Sequence, residues 1–261
     1  DVCRLTFHSS IFKIKGFLTM KRFLTLAKAI FLMHIRNGAV LFWNFAFPVL
    51  LMLIYGVIMR QYMDYMTPGV IVLNILSFGL VSSSTMMLEM REKGVLRRLQ
   101  ATPLPARQLV GAYLLVNLAL GILQSALVWT VGVVFYKVPV TALGIAIGLP
   151  MILAGMLTFL AMGQIIGGIA PKAGVATGAG MTVYFTLMFI SDMVYPLEML
   201  PDWLQKMVPA LPTYLVSQLV RSAMLDSVLD PKWATYLLLL AVYGGLSALI
   251  AAKLFRWEPK A

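Results

Sequence analysis

The sequence predicts an all-α integral membrane protein with six transmembrane helices, and three observations predict it. Of its 261 residues, 61% are hydrophobic and 12% charged, against roughly 45–50% and about 25% in soluble globular chains. The mean hydropathy of +0.89 excludes intrinsic disorder, and this much apolar side chain cannot be hidden inside a 28.8 kDa globule. Long stretches carry no Asp, Glu, Lys or Arg, and none alternates at period two as a lipid-facing barrel strand would.

Residues 1–19 lack the cleavage site of a secretory signal. Met20-Lys21-Arg22 reads as an initiation point, so that stretch is expected to be an upstream extension. Residues 20–38 follow as an interfacial amphipathic helix. Phe23, Leu26, Ala27, Ile30, Phe31 and His34 share one face, and Lys21, Arg22, Lys28 and Arg36 lie largely on the other. The membrane body, 39–256, holds spans at about 39–59, 68–88, 108–136, 141–170, 173–191 and 233–252, with a short tail, 257–261. Pro48, Gly79, Gly121 and Gly155 fall inside spans, where they are tolerated, and Pro171-Lys172 separates the fourth from the fifth.

Basic residues set the orientation. With both termini cytoplasmic, sixteen of the 21 Lys and Arg fall on the inner side, leaving Arg60, Lys137, Lys206, Arg221 and Lys232 outside. Acids lean the other way, six outside against four inside, so the overall +11 divides into +12 inside and −1 outside. That division is a topological record and not the basic patch of a nucleic-acid binder. The single cysteine, Cys3, can form neither an internal disulfide nor a zinc site.

The connection between the second and third spans, 89–105, is far longer than a connector needs. Gly94 lets the chain turn. Val95–Ala101 is expected to be a short amphipathic helix with Leu96 and Leu99 at i, i+3, ended by Pro103 and Pro105. The pattern E-x-R-E-x-G-x-L-x-x-L-x-x-x-P is carried by Glu89, Arg91, Glu92, Gly94, Leu96, Leu99 and Pro103. It resembles the signature of ATP-binding-cassette (ABC) transporter permeases of the type-2 export class. The stretch Arg97 to Pro105 is most similar to the drug and antibiotic efflux branch, although many members carry an acid near Arg97. The resemblance runs from Met20 to about Arg256.

The resemblance implies that 89–105 is a cytoplasmic coupling helix seated in a separate ATPase subunit, which binds ATP and Mg. Leu96 and Leu99 would be anchors, with Glu89, Arg91, Glu92, Arg97 and Arg98 as charged contacts. For Arg91, Lys93 and Arg107 taken singly, the positive-inside bias is explanation enough. It also implies a second permease copy, as a homodimer or a paralogous heterodimer, with the second and fifth spans lining the route between copies. Asn74, Ser77, Phe78, Phe185 and Phe189 are the resulting candidates for lining; helix–helix packing is the alternative for each. Gly144/Gly148 and Gly174/Gly178 form GxxxG pairs.

The outer stretch 192–232 is cut by Pro196, Pro201, Pro209 and Pro212 into Leu197–Leu211 and Tyr214–Leu225, each too short to span. Both read as half-helices dipping back from the outer surface, or as interfacial helices anchored by Trp203 and Tyr214. The resemblance favours the re-entrant form.

No ionisable residue sits mid-span, which weighs against an ion-coupled carrier. The chain lacks G-x-x-x-x-G-K-[ST], so it is not expected to cradle ATP itself. No catalytic, cofactor or metal set emerges either, since His8 and His34 both precede the first span. An intramembrane enzyme and a passive channel are the competing classes. The function expected is export of an amphiphilic or hydrophobic substrate (a drug, antibiotic or lipid) from the cell membrane, with polysaccharide or glycolipid export as the alternative.

Overall fold

The computed structural model describes residues 20–100, 106–139, 141–228 and 230–254. The 1–19 extension, Pro103 with the end of the 89–105 connection, and the 257–261 tail lie outside them. Among the described residues every regular element is helical. Residues 20–35 form α1, then Gly38–Leu41 runs without a break into α2, Phe42–Ile58. Next come α3 (Arg60–Glu92), α4 (Val95–Gln100), α5 (Ala106–Tyr136), α6 (Ala142–Ile169) and α7 (Ala173–Ile190). The short α8 (Asp202–Met207) and α9 (Pro212–Arg221) precede α10 (Trp233–Leu254).

Five of these helices, α3, α5, α6, α7 and α10, are long and apolar enough to cross a bilayer, and α2 is a shorter apolar helix. The chain is an all-α integral membrane protein. Helix α3 is its axis: 78% of its most apolar window is buried, against 11% for α10. A helix apolar on every face is one enclosed on every face. It begins earlier than the sequence predicts, at Arg60, and carries Pro68 in its interior, where the ring has no N–H to offer the carbonyl of Asp64 four residues back.

Backbone proximity holds the axis in place. A Cβ on Gly163 of α6 would strike the carbonyl oxygen of Gly79, and one on Gly79 would strike Phe159 and the backbone beyond it. Spans α3 and α6 thus cross at bare backbone, the closest approach that packing in hydrocarbon rewards. Tyr113 of α5 adds a polar tie, donating its hydroxyl to Ser83 O at 2.7 Å, and Gln164 of α6 reaches the same hydroxyl at 3.3 Å.

Two wide π-turns, Phe42–Ala46 in α2 and Phe78–Ser82 in α3, lie side by side. Ser82 Oγ donates to Asn44 Oδ1 at 2.8 Å, so the two irregular turns share a buried hydrogen bond. In α2 the wide turn falls where Pro48 has no N–H to offer the carbonyl of Asn44 four residues back. Helix α1 docks through Leu26, Ala27, Ile30 and His34, all buried. Phe31, predicted on that face, stays exposed at its rim, while Lys21, Arg22, Lys28 and Arg36 face outward as expected.

The outer segment differs from two half-helices. Its first piece is broken into a short 3-10 turn, Leu197–Met199, the six-residue α8 and a second 3-10 turn, with Trp203 and Met207 exposed. The prolines at 196, 201 and 209 leave no room for a longer helix. The second piece, α9 with its π-turn Ser222–Asp226, is buried through Leu215, Val216, Leu219, Val220, Ala223 and Met224. Val216 packs at Gly155, the midpoint of α6, and Ala223 at Gly144 near its start. So α9 begins deep and climbs beside α6, and Gly144/Gly148 serve that contact.

Candidate functional site

Helices α2, α3 and α7 enclose a groove of about 350 Å³. Its aromatic wall is Trp43 and Phe47 from α2 with Tyr184 and Phe185 from α7. Helix α3 contributes Ser77, Val81, Thr85 and Glu89, a repeat of four that keeps one face toward the groove. Thr177 and Met181 complete the α7 side, and the Thr85 and Thr177 hydroxyls hydrogen-bond across it at 2.8 Å. A small void at the deep end shares Trp43, Phe47, Ser77 and Tyr184 with the groove and reaches Asn74. Asn74 is buried, and neither its Nδ2 nor its Oδ1 has a hydrogen-bond partner among the described residues.

Of the predicted lining, Ser77 and Phe185 line the groove, and Asn74 lies on the small void beside Ser77. Phe78 departs from the expectation: it is fully buried on the other side of α3, its ring 6.0 Å from that of His34. One residue further along a helix turns the side chain by about 100°, and that step separates Phe78 from Ser77. Phe189 lies one turn beyond Phe185, exposed at 57% and outside the groove lining. Trp43, Phe47, Thr85, Thr177 and Tyr184 were not singled out from sequence; the i, i+4 steps from Trp43 to Phe47 and from Thr177 to Met181 were their signal.

The turn after α3 sorts the coupling candidates into three directions. Glu89 lines the groove and pairs with Lys93 at 2.7 Å. Arg91 is buried, 3% exposed, with Nη1 3.5 Å from Gly167 O near the end of α6. Glu92 Oε1 accepts the Ala173 N–H at 2.8 Å, at the first turn of α7. Cation and anion thus each lie at the helix end whose dipole suits them. Arg91 is buried and Glu92 exposed, yet both brace the α6–α7 corner, because the chain supplies a partner for each.

Gly94 has φ +68, the left-handed region that a side chain disfavours, and it reverses the chain into α4. Leu96, predicted to anchor in a partner, is instead fully buried in this chain's own core. A leucine on a short helix facing the bundle finds its apolar partner there at no cost in association. Arg97 and Arg98 remain exposed. The side chain of Leu99 and all of Pro103 lie outside the described residues.

At the other end sits an assembly that sequence reasoning missed. Asp192, wholly buried just after α7, accepts from Ser217 Oγ at 2.7 Å, Gln218 Nε2 at 3.0 Å and Arg221 Nη1 at 3.0 Å. Arg221 lies over the Tyr65 ring, 3.7 Å from its centroid, and Tyr65 donates to Asp192 O at 3.0 Å. The network ties α3, α7 and α9 together at the outer end of the groove helices. Both charges had been counted only as outer-face residues. The signal was Arg221 standing inside an otherwise apolar run.

A larger apolar trough, about 920 Å³, lies between α5, α6 and α10. Its wall on α6 and α10 is mostly Ala, Gly and Leu, while Tyr113 and Gln164 spend their polar atoms on one another and on Ser83. It offers hydrocarbon packing more than recognition. Among the described residues no cluster of His, Cys, Asp or Glu could hold a metal ion.

Comparison with known proteins places this architecture. The ABC-2 type transporter family matches residues 21–225. A Bacillus subtilis (strain 168) protein bearing the name of a transport permease, YvfS, is 22% identical over 218 residues, which cover 79% of this chain and 86% of that protein. ABC transporter G family member 20 of Dictyostelium discoideum is 25% identical over 193 residues, 72% of this chain. This chain spans only about a quarter of that second protein, 26% of its length. The match takes in α1 to α9, the groove and the turn at Gly94, and the chain belongs to the ABC-2 type transporter family as a membrane-spanning permease component.

Proposed function

We propose that this chain is the permease subunit of an ABC exporter, moving an amphiphilic or hydrophobic molecule outward through the groove between α2, α3 and α7. Family membership implies an ABC ATPase partner. In this reading the partner is a separate subunit that binds ATP and Mg, and this chain catalyses nothing itself. A second permease copy faces the groove, and the exposed Gly174/Gly178 pair on α7, with open space around both, supports close helix approach there. The protein lies in the cell membrane with both termini cytoplasmic, a placement supported by the +12 and −1 division of charge.

The observation that carries the reading is a continuous path along one helix. Helix α3 lines the groove from Ser77 to Glu89, and two residues past its end the chain turns into α4 with Arg97 and Arg98 exposed. A push on α4 therefore reaches the groove wall without crossing a flexible linker. The aromatic wall of Trp43, Phe47, Tyr184 and Phe185 supports a substrate with an apolar body.

The test follows from the burial of Leu96. An acidic residue there would damage the fold, so the exposed arginines are the informative positions. Arg97→Glu/Arg98→Glu, reconstituted with the ATPase, is expected to lose most substrate-stimulated ATP hydrolysis while inserting normally. Loss of the pair should weaken association by about 2–4 kcal/mol. Full stimulation in a normally inserted variant would overturn the coupling assignment.

A further inference from the structure

We infer that the groove selects positively charged amphiphiles, with the Glu89 carboxylate as counter-ion to the cation and the aromatic wall taking the apolar body. The inference rests on the exporter reading and names its substrate class. Glu89 is the one charged residue among the described lining of the groove. It stands at one mouth, while the walls above it are Trp43, Phe47, Tyr184 and Phe185. Aromatic faces carry negative potential and hold cations where water is thin. A carboxylate and four aromatic rings together repel anions and attract cations.

The present partner of Glu89 does not block the site. Lys93 is on the same face one turn later, its side chain 63% exposed and that of Glu89 22%. An ion pair this open is weak, and the lysine stem can swing into water when a ligand cation arrives. The other charges of the turn are directed elsewhere, Arg91 toward Gly167 and Glu92 to Ala173.

Beyond the deep end, a separate void of about 10 Å³ reaches Asn74. Asn74 presents a buried amide with no partner among the described residues, a costly arrangement unless something else completes it. It stands fifteen residues before Glu89 on α3, roughly 22 Å along the axis. The occupant of the groove is a cationic amphiphile.

Two isosteric lipophilic ions test it, tetraphenylphosphonium and tetraphenylborate, bound to the full chain in phosphatidylcholine nanodiscs. The wild type is expected to bind the cation at least tenfold more tightly than the anion. Glu89→Gln should erase that preference by weakening cation binding alone, and Glu89→Asp, which keeps the charge, should retain it. Equal binding of both ions by the wild type overturns the inference, and so does an intact preference in Glu89→Gln. A Thr177→Cys chain that cross-links spontaneously to a second copy, with tetraphenylphosphonium unable to prevent it, also overturns it, since a copy would then fill the groove. Because binding needs no ATPase, a cation preference without ATP-driven export would count against the exporter reading and leave the site standing.

Discussion

Arg221 and Asp192 form a buried ion pair, 3.0 Å between Nη1 and Oδ2, that fastens α9 to the end of α7. Two charges out of water are stable only when each finds several partners. Here Ser217 and Gln218 donate to the Asp192 carboxylate, and the Arg221 guanidinium lies over the Tyr65 ring and donates to Asp192 O. Removing one partner strands the other, so Arg221→Ala and Asp192→Ala are each expected to cost about 3–5 kcal/mol. The Asp192→Ala/Arg221→Ala double variant should cost no more than either single change, because the lone charge is gone. Thermal unfolding of the purified protein in detergent checks both statements; additive losses would show that the two act independently.

The α3–α6 crossing makes a sharper steric prediction. Gly163→Ala puts a methyl group on the carbonyl oxygen of Gly79, and backbone on both sides cannot yield. The expected cost is about 3 kcal/mol, seen as a lower yield of monodisperse protein and a lower Tm. Gly245→Ala is the control, with nothing within 4 Å of the added carbon. It should be neutral or stabilising by about 0.5–1 kcal/mol, since alanine is the better helix former.

Why some of this was legible in the sequence, and some not, follows from what each signal encodes. Uncharged length marks a helix that crosses a membrane, so α5, α6, α7 and α10 could be bounded within about two residues. Wide turns such as Phe42–Ala46 leave no composition trace, because they answer to packing against a neighbour, here through Asn44 and Ser82. Asn74, Ser77 and Phe185 could be nominated for the groove as polar or aromatic members of the right helices. Phe78 could not be separated from Ser77 without the rotation of α3. The directions taken by Arg91, Glu92 and Leu96 were hidden for a related reason. A charge after a span looks the same whether it meets a partner protein or the end of its own α6 or α7. Asp192 and Arg221 are 29 residues apart, and only the climb of α9 beside α6 brings them together.

Helix α1 should loosen at low pH. Burial of the His34 imidazole, partly offset by its hydrogen bond to Ile30 O, holds its pKa below the usual 6.5. In the unfolded chain the ring takes up its proton near 6.5, before the docked ring does, so the unfolded state binds more protons there. The stabilisation is therefore complete above about pH 6.5 and is lost as pH falls through the lowered value. Hydrogen exchange of residues 20–35, taken relative to its intrinsic rate at each pH, is expected to quicken as pH falls from 7.5 to 5. In His34→Phe, which keeps an aromatic ring against Phe78, that quickening should vanish; an unchanged pH profile would assign the effect to another group.

The carboxylate of Glu92 caps α7 from another helix, and its loss should be felt locally. The first N–H groups of a helix have no partner within it, and Ala173 finds one in Glu92 Oε1. Substituting a capping acceptor by alanine costs about 1 kcal/mol, and the negative charge adds a few tenths through the helix dipole. Glu92→Ala should therefore speed amide exchange at Ala173 roughly fivefold, the factor that 1 kcal/mol implies at 25 °C. Glu92→Gln keeps an acceptor oxygen and loses only the charge, so it should fall between the two. If α4 drives the groove through this contact, Glu92→Ala will also lower substrate moved per ATP hydrolysed more than it lowers hydrolysis itself. Equal falls in both would place the role of Glu92 in stability alone.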